Sequence, residues 1–159
     1  MERKELRNLL ERLSAGAADV DEVMTKLRGE PFRDLGFAKL DSHRVLRQGI
    51  AEVIYGAGKR PEQIAEIAGA MLADGQRTVL ITRMSAEAAA VVEKTVPLSY
   101  HEMGRVGIAG EMPRPDGRGK IVIATGGTSD MPVAEEAALT AEALGNEVTR
   151  LYDVGVAGL

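Results

Sequence analysis

The chain has 159 residues, with 20 Lys or Arg against 24 Asp or Glu and a net charge of −4. That mildly acidic balance argues against a general nucleic-acid binder, and no apolar stretch approaches the ~20 residues of a membrane span. Cysteine is absent, which excludes disulfides and thiolate catalysis within the chain.

The start, Met1-Glu2-Arg3-Lys4-Glu5, carries no signal-peptide pattern, so a cytoplasmic location is expected. Leu6, Leu9, Leu10 and Leu13 form one helical stripe, broken by Ala15-Gly16-Ala17. Asp19 with Glu22 makes a capping arrangement ahead of a second stripe, Val20, Val23, Met24 and Leu27. Residues 2–28 are expected to be a helical hairpin without chemistry, within a helical segment 1–36 whose last part, Gly29–Gly36, is a connector.

Phe37–Asp41 has the pattern of a short strand and opens a small α/β domain expected over 37–110. Asp41-Ser42-His43-Arg44 with Arg47 is the most polar cluster of this half. His43 can serve as a base, or read a phosphate together with Arg44 and Arg47; the alternative is a turn with solvated arginines. Glu52–Tyr55 reads as a strand and Gly56-Ala57-Gly58 as a turn. Pro61 starts a helix with Ile64, Ile67, Ala68, Met71 and Leu72 on one face, closed by Asp74-Gly75. Thr78–Thr82 is a buried strand, and Ser85 an N-cap for a helix over Ala86–Lys94. Gly56-Ala57-Gly58-Lys59 lacks the Lys-[Ser/Thr] ending of a phosphate loop and is read as a plain turn. Residues 95–119 look irregular, with Met103–Ile108 as an edge strand and Glu111–Gly119 as a Pro/Gly-punctuated linker.

Lys120–Ala124 is a near-continuous apolar run, the pattern of a parallel strand covered on both faces. It enters a loop, Thr125-Gly126-Gly127-Thr128-Ser129-Asp130, that opens a helix marked by Val133, Ala134, Ala137, Ala138, Ala141 and Leu144, with Gly145 at its end. Val148–Tyr152 is the next strand. The fold class is therefore α/β: N-terminal helices, a small α/β domain, and over 120–159 the β–α–β start of a parallel-sheet domain, its strands joined by a crossover.

Ligands of open α/β sheets bind beyond the carboxyl ends of the strands. Here the two glycines let backbone approach a ligand, helix-start N–H groups suit a phosphate, and Thr128, Ser129 and Asp130 add two hydroxyls and a carboxylate. The simpler alternative is that Ser129 or Asp130 only caps the helix and the glycines only turn the chain. Asp153, at the end of the following strand, shares that rim or merely caps a turn. Neither the dinucleotide nor the Walker fingerprint is present, and Asp153 lies farther from the loop than the ~20 residues of an ordinary dinucleotide module. With His43 and His101 alone and no Cys, no structural metal site is expected.

Thr125-Gly126-Gly127-Thr128-Ser129-Asp130-Met131-Pro132-Val133-Ala134-Glu135-Glu136-Ala137 resembles the signature of the LarB family, which makes the nickel-pincer nucleotide cofactor of lactate racemase. Leu144–Val148, Leu151–Leu159, Ala38–Arg44, Arg47–Gly49, Glu52–Gly56 and Gly58–Ile64 are also similar to that family. Gly126 stands where the family usually has Ala, and Ala51 where it usually has Pro. The resemblance implies a flavodoxin-like, PurE-type carboxylase domain that continues beyond Leu159. It also implies the reaction: carboxylation of the pyridinium ring of nicotinic acid adenine dinucleotide by carbon dioxide or bicarbonate, with cleavage of the phosphoanhydride. No tightly bound cofactor is implied, and Mg2+ is compatible as a helper. The implied assembly is a homo-octamer with a small-molecule dinucleotide as partner, without nucleic acid or membrane. On this resemblance Ser129, Asp130 and Asp153 act in catalysis, while Gly127, Thr128, Ser129, Val154 and Gly155 surround the substrate. The family's nucleophile is a cysteine, which this chain lacks. Two alternatives are an aminoimidazole ribonucleotide carboxylase or mutase, disfavoured by the upstream domain, and a non-catalytic nucleotide-binding or assembly subunit.

Overall fold

A computed structural model of the chain describes residues 3–27, 32–41, 44 and 50–156. The chain divides into two compact units, Met1–Glu52 and Val53–Leu159.

In the first unit, α1 (Arg3–Ser14) and α2 (Val20–Leu27) follow the two apolar stripes. Leu9 and Val23 are buried. The Asp19 carboxylate accepts the Glu22 N–H at 2.6 Å, the capping bond its spacing predicts. Glu22 in turn pairs with Lys26 on its own helix and Arg12 on α1. A hairpin follows, of β1 (Phe32–Asp34) and β2 (Lys39–Asp41), antiparallel with Arg33 opposite Leu40. The sequence pattern predicts a connector over Phe32–Asp34. It pairs because the Leu35 N–H reaches the Ala38 carbonyl and the Gly36 N–H reaches the Asp34 carboxylate, closing a tight turn.

The second unit begins with β3 (Ile54–Tyr55), α3 (Pro61–Ala73), β4 (Thr78–Thr82) and α4 (Ala86–Val92). Pro61 opens α3, and the Ser85 hydroxyl accepts the Ala88 N–H at 3.2 Å to cap α4. Residues 95–110, expected to be irregular with one edge strand, are instead a hairpin of β5 (Leu98–His101) and β6 (Val106–Gly110). The sheet order is β3-β4-β6-β5, so β6 is internal, antiparallel to both neighbours, while β3 and β4 run parallel. Gly107 fits there because a β-carbon on it would lie 2.5 Å from the Met84 sulfur.

The last elements are β7 (Lys120–Ala124), a single 3-10 turn (Thr128–Asp130), α5 (Met131–Ala143) and β8 (Glu147–Leu151), with β7 and β8 parallel. Gly145, at φ 82°, ends α5: its N–H goes to Glu142 and that of Asn146 to Ala141. Leu139 and Ala143 of α5 join Leu80, Val106 and Ile108 in one core cluster. One residue to either side of Leu80, Val79 and Ile81 turn to the opposite face and are completely buried too, so β4 is covered on both sides. α5 also packs on β7 and β8, which places it between the two sheets.

One expectation differs here. Lys120–Ala124 was expected to be covered on both faces, yet Ile121 and Val122 are 38% and 57% exposed. β7 pairs only with β8 among the described residues, and α5 packs against that pair. The division into compact units falls at Glu52–Val53. The shared core of β4, β6 and α5 draws 120–156 into one unit with the preceding sheet. No helix among the described residues is long and apolar enough to cross a membrane.

Candidate functional site

The chain leaves β7 through Thr125, the one polar side chain among the described residues that is buried. Its N–H donates to the Leu151 carbonyl at 3.0 Å, and its carbonyl accepts the Val154 N–H at 2.9 Å. Its hydroxyl oxygen accepts the Asp153 N–H at 3.1 Å. Thr125 thus ties the end of β7 to the end of β8. Gly155 completes the closure, for a β-carbon there would sit 2.2 Å from the Gly126 carbonyl oxygen. The structure therefore places Gly127, Thr128, Ser129 and Asp130 beside Asp153, Val154 and Gly155, on two loops in backbone contact.

Beyond Thr125 the rim is open. A β-carbon added at Gly126 or Gly127 would meet nothing within 4 Å. The 3-10 turn closes with Asp130 N–H to the Gly127 carbonyl at 3.2 Å, and Pro132 falls in the first turn of α5. Thr128, Ser129 and Asp130 are exposed, and Asp130 makes no capping bond. Their side chains form no hydrogen bond among the described residues. Two hydroxyls and a carboxylate thus face solvent at the positive end of a helix, with no structural task of their own. Asp153 is also exposed and adopts φ 58°, a left-handed conformation that Asp tolerates better than most residues.

Behind the rim lies an ionic network that the sequence reading did not include. Arg150 on β8 bonds both Glu135 and Glu142 on α5, and the Tyr152 hydroxyl donates to Glu135. Burial by itself raises the Glu135 carboxyl, but hydrogen bonds from Arg150 and Tyr152 outweigh it and hold it below the ordinary value. The Arg150 guanidinium is raised by its hydrogen bonds to Glu142 and Glu135. The Tyr152 phenol is raised by burial and then by its bond to Glu135. A signal for this existed in the sequence. Glu135 and Glu142 stand seven residues apart, on one helix face, and Arg150 and Tyr152 alternate onto one strand face. On the side of the first sheet, Arg83 Nε donates to Glu136 at 2.9 Å, and Gly104 lies against the α5 backbone.

His43 and Arg47 lie outside the described residues. Arg44 belongs to the first unit and is half-buried. No group of three His, Cys, Asp or Glu among the described residues is placed to hold a metal ion.

A strand–loop–helix–strand unit with an exposed hydroxyl and carboxylate rim, joined to a mixed sheet through a shared helix, makes this an α/β protein, a class consistent with a PurE-like domain. Residues 32–111, half of the chain, match the family model of the LarB/PurE-like N-terminal domain. The chain belongs to the LarB family. An uncharacterized protein of Methanocaldococcus jannaschii is 32% identical over 164 residues, covering 98% of this chain and 64% of that protein. The chain thus spans less than two thirds of the length of that curated relative.

Proposed function

We propose that this chain carries the nucleotide-binding part of a LarB-type carboxylase acting on nicotinic acid adenine dinucleotide. The observation that carries this reading is the rim at the start of α5, where Thr128, Ser129 and Asp130 point to solvent beside open glycine backbone. Backbone N–H groups and the two hydroxyls hold a phosphate there. Asp130 orients the substrate or manages a proton, and Asp153 accepts from ribose hydroxyls.

The chemistry follows from the pyridinium ring. It is electron-poor and does not attack carbon dioxide. A nucleophile first adds to the ring, leaving an enamine-like carbon that forms the new C–C bond. Loss of the ring proton and expulsion of the nucleophile then restore the aromatic cation. Water cleaves the phosphoanhydride, giving AMP and a pyridinium dicarboxylate mononucleotide. By resemblance the nucleophile is a cysteine, and none of these residues supplies one. That composition is the specific ground for a second reading, a nucleotide-binding or assembly subunit without catalysis. With the first reading go a homo-octamer and a cytoplasmic location, as the resemblance implies.

The test is calorimetric titration of the chain with nicotinic acid adenine dinucleotide, followed by mass spectrometry in the presence of bicarbonate and magnesium. Saturable binding that Asp130→Asn weakens is the expected result. No saturable binding, or binding indifferent to the loop, overturns the assignment. Release of AMP with a mononucleotide one carboxyl heavier removes the non-catalytic reading and the need for an outside thiol.

A further inference from the structure

We infer that Thr125 is a positioning residue that, through Asp153, makes the rim selective for ribonucleotides over 2′-deoxyribonucleotides; this rests on the nucleotide-binding reading above. A buried hydroxyl must find a partner, and that of Thr125 finds the Asp153 N–H at 3.1 Å. The other two polar groups of Thr125 bond Leu151 and Val154, so three bonds from one residue hold the chain on both sides of Asp153. Asp153 sits at φ 58°, where a side chain persists only when its surroundings hold it. That backbone conformation sets the direction of the carboxylate.

The division of labour on the rim follows. The Gly126–Asp130 loop offers N–H groups and hydroxyls, which suit a phosphate. The Asp153 carboxylate offers only acceptors, which suit hydroxyl donors and repel a phosphate. A 5′-phosphorylated ribonucleoside presents both chemistries. An acidic side chain at a strand end commonly accepts from ribose hydroxyls. The substitution Thr125→Val keeps the approximate volume and both main-chain bonds and removes the hydroxyl acceptor for Asp153 N–H. Asp153 is then free to leave the left-handed region, and its carboxylate leaves the ribose. Binding through the phosphate survives.

The experiment compares nicotinic acid mononucleotide with its 2′-deoxyribose analogue by calorimetry. The wild-type chain is expected to prefer the ribonucleotide about 5-fold or more, the worth of roughly one hydrogen bond. Thr125→Val is expected to bring that ratio close to one with affinity for the deoxy analogue unchanged, and Thr125→Ser to restore it. A purely structural role would weaken both ligands alike. Retention of the wild-type ratio by Thr125→Val, or equal wild-type affinity for the two ligands, overturns the inference and leaves the functional reading standing. Failure of the wild type to bind either ligand while it binds nicotinic acid adenine dinucleotide overturns the inference alone; failure with all three overturns the functional reading as well. Should Thr125→Val not fold, amide exchange on the wild type decides: an Asp153 N–H that exchanges as fast as a free peptide rules the contact out.

Discussion

Arg150 and Glu135 meet in a two-point fork: Nε donates to one carboxylate oxygen at 3.1 Å and Nη2 to the other at 3.2 Å. Glu142 occupies the remaining edge of the same guanidinium. One planar cation therefore fastens β8 to two points on α5 that lie about two turns apart. The strand so held ends two residues before Asp153, and the helix so held begins at the Thr128–Asp130 turn. The distance between the two halves of the rim depends on this fork and on Thr125.

Arg150→Lys tests the fork. A lysine ammonium is a point charge and cannot bridge two carboxylates in plane, so a loss of about 1–2 kcal/mol in urea unfolding is expected. Arg83→Lys is the control. Arg83 also pairs with an α5 glutamate, but its side chain is 48% exposed, and solvent screening limits its loss to about 0.5 kcal/mol. Equal losses in the two variants would remove the special place of the fork.

The same network gives a pH dependence with a defined sign. The Glu135 carboxyl is held below its ordinary value, so it binds fewer protons folded than unfolded. Its contribution to stability is fully present above the unfolded carboxylate value of about 4.3 and is lost as pH falls through the lower folded value. Urea midpoints measured from neutral pH into the acid range should fall more steeply for the wild type than for Glu135→Gln. Parallel curves would contradict this.

Leu139→Ala tests whether α5 belongs to the first sheet as well as to its own. Leu139 is 2% exposed and touches the Leu80, Val106 and Ile108 cluster. A loss of about 2–5 kcal/mol is expected, with faster amide exchange at Val106 and Ile108 as well as in α5. Acceleration confined to 120–156 would mean that the two sheets do not share a core.

Gly155→Ala addresses the rim directly. The added carbon would lie 2.2 Å from the Gly126 carbonyl, a contact that only backbone movement relieves. The expected cost is about 1–3 kcal/mol, with weakened nucleotide binding. At Gly126, where the same carbon meets open space, Ala should leave stability within about 0.5 kcal/mol of wild type. If the two variants behave alike, the loops are not in contact.

Local chemistry was legible in the chain. Ser85 caps α4, Gly145 ends α5, and Pro61 and Pro132 stand in first turns. Each rests on interactions between residues close in sequence, where side-chain type and spacing suffice. The rim motif was legible for the same reason, since its hydroxyls, glycines and first carboxylate are contiguous. The insertion of β6 between β4 and β5 was not, because strand neighbours are chosen by long-range burial that no local pattern encodes. Neither was the exposure of Val122, which depends on what covers β7 rather than on its own apolarity. Arg150, Glu135 and Thr125 read as ordinary strand, helix and loop residues until folding brings them together. The sequence by itself determined the helices, the strands β4, β7 and β8, and the residues of the loop. Only the tertiary structure decided which loops touch, because Thr125 and Asp153 are separated by a helix and a strand and meet only once β7 and β8 pair.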